Sequence, residues 1–488
     1  MLMFDFMRMR KENEKTIMTQ EEFIMETIKN FDKSEARVKM LEGEKYYNNG
    51  NDINNRVIYR FEDERPVVDE TKPNNKISHG FMKLLVDEKV GYFIGQAPKI
   101  TSDNLDLENK ANGILDDEFI DILHDVCIEA SNKGIAWLHP FINEGGKLEF
   151  INIPSEQIIP LWRDIKHTKL DGVIRYYFVD EYVGTSLQQT MKVEYWTHNE
   201  VKYYVNVNGT LIEDIEVIQD SEHLGHFNVD GQEFGWGEIP YIPFKNNSSE
   251  LNDLTFVKSI VDEYDKSVSD TANLLDEIQD IVYVLKNYGG TNLSEFMRDL
   301  KYYKSIKVDE DGGVETINSQ INIDAVEKHL DRLKKDFYQF GQGVDVNTDK
   351  FGNSPSGVAL EFLYSNLKLK VNNTERKFKS SFKRVFYFVC KYLEIQRQGK
   401  YDPNDLKVTF IRTIISNIAE TIDSINKSVT VISKKTALEN HPWVTNVDEE
   451  LERIKDEEET LGDFESSFTS DYEEEEVKVG EVDGEDRI

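Results

Sequence analysis

The sequence predicts an α+β chain, mainly α, and two patterns with one arithmetic fact predict it. Apolar residues recur at helical spacing in the first hundred and the last two hundred and forty positions. Between them, residues 135–216 alternate apolar and polar around Gly-containing turns, as strands do. At 488 residues the chain also exceeds what one core encloses, so it divides into several units.

In order, Thr19 to Tyr47 carries Phe23, Ile24, Thr27, Ile28 and Phe31 on one side and reads as a helix. Ile77 through Ile94 reads as a second, with Phe81, Leu84, Leu85 and Val90 inward, stopped by Gly95 to Pro98. Asp116 to Ala130 is a third. Strands follow at Ile135 to Ile142 and Lys147 to Ile153, flanking Asn143-Glu144-Gly145-Gly146. More strands lie at Gly172 to Val179, Thr190 to Trp196, Val201 to Val207 and Thr210 to Glu216, the last two joined by Asn208-Gly209. Asn-Gly serves this role because both residues accept positive φ in a two-residue hairpin turn. Pro240 and Pro243 are expected to stop regular pairing near Phe244.

Beyond 250, apolar or small residues from Leu254 to Val282 recur every 3.5 positions, the spacing of a long helix packed lengthwise. Ile281 to Lys286, Asn292 to Leu300, Tyr302 to Val308 and Val314 to Asn318 read as a small β-α-β-β insertion. Ile323 to Phe340 is helical, with Val326, Leu330, Leu333 and Phe337 inward. Residues 341–357 hold four glycines and no period, a long loop between two helices of the kind that carries function. Ser354-Pro355 then starts a helix to Arg397, hydroxyl capping and proline fitting the first turn. Such a rod spans roughly 60 Å at 1.5 Å per residue. Its seam runs through Tyr364, Leu367, Val371, Thr374, Phe378, Phe382, Val385, Val389, Tyr392 and Gln396. A chain that is only 39% hydrophobic is expected to need further copies of itself to cover the rod.

Charge excludes one class of function. Fifty-eight Lys and Arg against 92 Asp and Glu leave a net charge of −34, which rules out a protein that grips nucleic acid over its whole surface by counterion release. The tail from Asp448 is the acidic extreme, and residues 461–488 are too poor in apolar groups to offset chain entropy, a solubilising or docking segment expected to stay disordered. Val358 to Arg397 is the opposite, nine cations against three acids. A solvated helix face paired with neighbouring acids accounts for it equally well. Met1 to Lys11 reads as a cytoplasmic start or a fraying terminus, and no apolar run reaches the ~18 residues a membrane span needs. Two cysteines, Cys127 and Cys390, support neither a disulfide framework nor a cysteine zinc site.

Catalytic signatures are few. There is no GxxxxGK[ST] and no GxSxG; Gly341-Gln342-Gly343 and Gly235-Trp236-Gly237 are weak on their own. Cys127 lies in a helical apolar pattern and reads as a buried inert thiol. His223 and His226 sit among loop residues, and acidic pairs such as Asp116-Asp117 are expected in a chain that is 31% charged. No catalytic residue, metal site or cofactor is expected.

The order of elements and Asn353-Ser354-Pro355-Ser356-Gly357-Val358-Ala359-Leu360 opening a long helix resemble the portal proteins of tailed bacteriophages, as found in siphophages of Gram-positive bacteria. Gly91-Tyr92-Phe93-Ile94-Gly95-Gln96-Ala97-Pro98, Ile239-Pro240-Tyr241-Ile242-Pro243-Phe244, Phe410-Ile411-Arg412-Thr413, Ser433 with Thr436, His441-Pro442-Trp443-Val444 and Asp448-Glu449-Glu450 with Arg453 are similar to further family segments. The resemblance covers roughly 20–460. Departures are the acidic tail and the absence of proline in Arg412 to Asn417, which leaves the start of the last region open.

That resemblance implies a portal-like fold with wing, stem, clip and crown regions, assembled as a ring, in virions a dodecamer, with a central channel for double-stranded DNA at one capsid vertex. It maps 1–250 to the wing, 251–279 and 323–341 to the stem helices, 280–322 to the clip, 342–354 to the tunnel loop, 355–397 to the long wing helix, 398–413 to a wing strand and 414–460 to the crown. Tunnel-loop residues would be Val344, Asp345, Val346, Asn347, Thr348, Asp349, Lys350 and Asn353, and the loop-to-helix motif Asn353, Ser354, Pro355, Gly357, Ala359 and Leu360. Clip residues Tyr288, Phe296, Arg298, Tyr302, Tyr303 and Lys304 would dock the terminase large subunit and later the head-completion or adaptor proteins. Major capsid and scaffolding proteins are further implied partners; a membrane is not. Two readings of other classes compete, a metal-dependent nuclease or hydrolase with a helical arm and a capsid scaffold without a pore.

Overall fold

The computed structural model describes residues 18–183, 185–220, 225–229, 232–278, 282–286, 294, 302, 313–317, 323–345, 361–412, 418–444 and 446–457. They fall into two compact units, one from 1–347 and 364–413, the other from 348–363 and 414–488.

The larger unit mixes helix and strand, as expected. It begins with α1 (Gln20–Asp32) and α2 (Glu35–Tyr47), where the apolar periodicity had read as one helix. Ser34 is the reason for the break: its hydroxyl accepts the Arg37 N–H at 3.2 Å and caps a fresh start. A hairpin of β1 (Tyr59–Glu62) and β2 (Arg65–Val68) follows, absent from the sequence reading. Helix α3 (Phe81–Ile94) starts four residues later than expected. Ile77 and His79 are held extended instead, donating their amides to Ser269 Oγ (3.0 Å) and Asp265 Oδ1 (3.1 Å). Leu84 faces outward, while Leu85 and Val90 are buried.

Next come β3 (Lys99–Ser102), α4 (Leu105–Asn112) and α5 (Asp117–Lys133). Asp116 caps α5, and Gly134 ends it at φ +87°, where a Cβ would lie 2.1 Å from the Glu250 carbonyl oxygen. Strands β4 (Ile135–Ile142) and β5 (Leu148–Ile153) pair around the expected turn. Then β6 (Ile158–Trp162), β7 (Leu170–Val183), β8 (Ser186–Trp196), β9 (Val201–Val207) and β10 (Thr210–Glu213) form an antiparallel sheet in the order β10-β9-β8-β7-β6. Asn208 and Gly209 take φ +53° and +86°, the turn the dipeptide predicted. The strand expected to reach Glu216 stops at Glu213, and Ile215–Asp220 is a short helix. Phe23, Ile24 and Ile28 of α1 cover one face of this sheet against Tyr176, Val193, Tyr195 and Tyr204. Each such buried side chain contributes about 1.5–3 kcal/mol of transfer free energy.

The expected stop at Pro243 is corrected. Hairpin β11 (Phe227–Val229) and β12 (Gln232–Phe234) leads to β13 (Ile242–Lys245), which pairs with β4 in the register Pro243 to Trp137. Proline is tolerated because β13 is the edge of the β13-β4-β5 sheet and need not donate outward.

Helix α6 (Lys258–Ile278) follows a short turn at Leu254–Phe256. Its inward side agrees with the 3.5-residue pattern at Leu254, Val257, Val261 and Tyr264, whose ring packs on His79 and Phe81. Further on, Asp265, Ser269 and Asn273 are buried instead, and the pattern residue Leu275 is exposed. Strands β14 (Val282–Lys286) and β15 (Gly313–Ile317) pair antiparallel. Helix α7 (Ile323–Gly341) buries Phe337 and packs on α6.

The described part of the long helix is α8 (Ser365–Ile395), preceded by a turn at Tyr364. Its seam from Leu367 to Tyr392 is buried within one chain, joined by Phe386, Phe388 and Leu393. Phe93, Phe119, Phe244 and Phe410 close on Phe378 and Phe382 as an aromatic core. The expectation that copies must cover this rod is therefore corrected for its described length: strands and helices of the same chain cover it. Finally β16 (Leu406–Thr409) pairs with β3.

In the smaller unit the described segments are helical: α9 (Ile418–Ser428), the short Lys434–Glu439 capped by Ser433, and 447–457.

Candidate functional site

Most of the residues singled out from the sequence lie outside the described residues: Val346, Asn347, Thr348, Asp349, Lys350, Asn353, Ser354, Pro355, Gly357, Ala359 and Leu360 in the loop, and Tyr288, Phe296, Arg298, Tyr303 and Lys304 in the insertion. Tyr302 is exposed. Val344 is buried, and Asp345 is partly covered. What the structure assembles is the end of α7 and the segments around it, where the chain enters the expected 342–354 loop.

Helix α7 ends where Gln342 turns to φ +56°, and the Gly343 N–H donates to the Tyr338 carbonyl at 3.0 Å. The next amide, that of Val344, donates to Glu88 Oε2 of α3 at 3.0 Å. Beneath this exit lies a buried ionic cluster. Asp253, just ahead of α6, accepts from Lys89 of α3 (3.1 Å) and Lys370 of α8 (3.2 Å). Lys89 also donates to Ser131 Oγ (2.9 Å) and to Asn246 Oδ1. Lys370 also donates to the Gly341 carbonyl oxygen (2.9 Å). Asn246 donates to Asp253 Oδ1 (2.9 Å), and Thr374 donates to the Asn246 carbonyl (3.0 Å). Five segments thus join one network around this carboxylate: α3, the end of α5, the 246–253 connection, the end of α7 and α8.

Electrostatics pulls this cluster both ways, favouring the charged form of Asp253 and disfavouring those of Lys370 and Glu88. Burial pulls the Asp253 carboxyl upward, but Lys370 and Lys89 outweigh it and hold the group down at about 2. Burial pushes the Lys370 ammonium down to about 8 against the pull of Asp253, with Lys89 adding to the descent. Glu88 is raised by burial, opposed by the Val344 amide and Lys370. Two carboxylates and two ammonium groups share the site.

A second anchor lies near by in sequence. Arg412 pairs with Glu375 at 2.6 Å and sits over the Tyr92 ring, which stacks on Tyr364 at 5.8 Å. It clamps α8 beside residue 413, where the chain leaves the larger unit.

None of this is a catalytic constellation. Burial drives the Cys127 thiol up to about 12 and the Cys390 thiol up to about 11, so neither is a ready nucleophile. His226 accepts the Trp236 N–H at 3.2 Å and is held down to about 4 by burial; His223 lies outside the described residues. Among the described residues no three His, Cys, Asp or Glu side chains are grouped to hold a metal ion. The arrangement can anchor a loop and fix the angles of the helices on either side.

Sequence reasoning did not find the cluster. Its one signal was Lys89, a cation at an inward position among Leu85, Val86, Val90 and Phe93.

Comparison with known proteins agrees with the resemblance. The family model described as phage portal protein, SPP1 Gp6-like, matches residues 28–462. The portal protein of Bacillus phage SPP1 is 37% identical over 436 residues, covering 88% of this chain and 86% of the relative. The portal protein of Clostridium phage phiCD119 is 36% identical over 434 residues, covering 85% and 91%. Among solved structures, a chain from the neck of a native GTA particle computed with C12 symmetry aligns with 73% of this chain and 88% of its own at 12% identity and a TM-score of 0.36. On the family match and the two relatives, the chain belongs to the SPP1 Gp6-like family of phage portal proteins.

Proposed function

We propose that the chain forms a ring, in the virion a dodecamer, at one vertex of the capsid, and that double-stranded DNA enters and leaves through its axis. The observation that carries this is the match to two phage portal proteins along nearly their whole length. In this reading the chain is structural and catalyses nothing. Residues 1–250 are the wing, α6 and α7 the stem, 280–322 the clip, 342–354 the tunnel loop and 414–460 the crown. Pairing of β14 with β15 supports the clip assignment, because it returns the chain to the stem where it left. The clip docks the terminase large subunit and then the head-completion proteins; capsid and scaffolding proteins hold the rim.

Net charge supports a conduit. A wall dense in Lys and Arg would release counterions and retain DNA, whereas an acidic chain with Lys350 as the loop's cation lets the polyanion slide. Among the described residues no helix is long and apolar enough to cross a membrane.

Electron microscopy of the purified chain tests the reading. Rings with an axial hole are expected; a folded monomer or a solid rod under every assembly condition would overturn it.

A further inference from the structure

Among the described residues of the larger unit, the β1–β2 hairpin is exposed along both of its strands. Directly opposed residues lie on one face of a hairpin, and the register pairs Tyr59 with Val68 and Phe61 with Pro66. One face is therefore apolar, Tyr59, Phe61, Pro66 and Val68, and the other carries Arg60, Glu62, Arg65 and Val67. Every residue of both strands is exposed, Phe61 by 77%. A two-stranded hairpin is marginal in water without a covering partner, so an apolar face kept open is a face to be covered.

Its turn carries a second oddity. Asp63 and Glu64 both take positive φ, +47° and +64°, where Asn-Gly is the low-strain choice. Strain of order 1 kcal/mol is accepted there, and it keeps two carboxylates at the tip. Among the described residues neither meets a cation.

The complementary surface is a cavity of about 390 Å³ between the 246–256 connection, the end of α7 and α8. Phe256 (55% exposed) and Phe340 (58%) line it, and Arg376 stands at its edge. Arg376 meets no carboxylate among the described residues, although the chain carries 92 acids; its partner is the Asn373 side chain at 2.8 Å.

We propose that the hairpin of one copy seats Phe61 between Phe256 and Phe340 of the next copy, with Asp63 and Glu64 meeting Arg376. Hairpin and cavity share no residue, so the contact is heterologous and repeats around a cyclic assembly. It rests on the ring reading above and adds which surfaces meet.

Cross-linking tests it directly. Glu62→Cys, beside Phe61, and Ser248→Cys, in the wall of the cavity, are made in separate full-length chains that keep Phe61 and Phe256, purified, mixed and oxidised; native Cys127 and Cys390 are buried and remain silent. Covalent heterodimers are expected, and their absence from mixtures that form rings overturns the proposal while leaving the ring intact. If wild-type chain makes no ring in micrographs, the ring reading itself has failed.

A second arm separates docking from folding. Asp63→Asn with Glu64→Gly improves the turn while removing both charges, and is expected to lower the ring fraction about tenfold at a melting temperature no lower than that of the wild type. Asp63→Lys with Glu64→Lys is expected to do the same, and added Arg376→Glu to restore rings. Assembly equal to wild type in both hairpin variants, or no rescue by Arg376→Glu, counts against the contact.

Discussion

At the scale of single residues, Asp253 decides more than any other side chain, because two buried ammonium groups converge on it. Asp253→Asn removes the carboxylate that both Lys89 and Lys370 pair with and leaves Glu88 as the acid remaining in the cluster. Removing one partner of a buried pair costs about 3–5 kcal/mol, and denaturant unfolding is expected to show a loss of that size. Lys370→Met should cost less, since Lys89 and Asp253 remain a neutral pair; equal losses would mean the cluster does not act as a unit. The same groups set a pH dependence. Asp253 is lower folded than unfolded, so its contribution is complete above about pH 4 and is lost as pH falls toward 2. Lys370 is also lower when folded, at about 8, so between pH 8 and 10.5 the unfolded chain binds the extra proton and stability rises with pH. The wild-type gain over that window, measured against Lys370→Met, is expected on the order of 1–3 kcal/mol at 1.36 kcal/mol per pKa unit. A flat difference between the two proteins would place Lys370 in water.

At the scale of elements, close approaches of backbone are where small changes matter. Helices α2 and α5 cross so tightly at Gly43 that a Cβ there would stand 1.9 Å from the Asn132 carbonyl oxygen. Backbone cannot yield as a side chain does, so Gly43→Ala is expected to cost about 2–4 kcal/mol by overpacking, read as a fall in melting temperature. Gly91, with nothing near its Cβ position, is the control: in the middle of α3, Gly91→Ala should be neutral or gain up to about 1 kcal/mol. This scale also separates what was legible in the sequence from what was not. Asn208-Gly209, the helix starting at Asp116 and the α8 seam were readable because each is a local signal with one physical solution. The split at Ser34 was not, since the apolar period of Phe31 runs on to Val38 and Leu41, which are exposed, while α2 buries Met40, Gly43 and Tyr46 instead. The inner face of α6 was misread because Asp265, Ser269 and Asn273 are buried by polar partners, Asn51, Asn75, Ile77 and His79, nearly two hundred or more residues away in sequence. A hydrophobic period cannot show a polar seam. The ionic cluster is hidden for the same reason, drawn from residues 88 to 374.

At the scale of the whole molecule, the charge distribution poses the question of how a chain of net −34 handles a polyanion. Basic residues do concentrate on α8, but the structure engages several of them: Lys370 with Asp253, Lys379 with Glu375, Lys391 with Glu394, and Arg384 with the Thr168 carbonyl at 2.9 Å. Lys370 and Arg384 tie α8 to other segments of the larger unit, while Lys379 and Lys391 pair with acids of α8 itself, so these four cations already have protein partners. Lys350 is then the cation of the proposed tunnel loop, one per subunit, flanked by Asp345 and Asp349. Each phosphate neutralised steepens the salt dependence of DNA binding by about one unit of log–log slope. Rings of the wild type are therefore expected to bind double-stranded DNA weakly, and Lys350→Ala to leave ring assembly intact while changing that slope in proportion to the few subunits that touch phosphate at once. Binding titrations between 50 and 200 mM salt, on the order used to resolve such slopes, measure it. Failure of Lys350→Ala to form rings would move the residue from the channel wall to a contact between subunits.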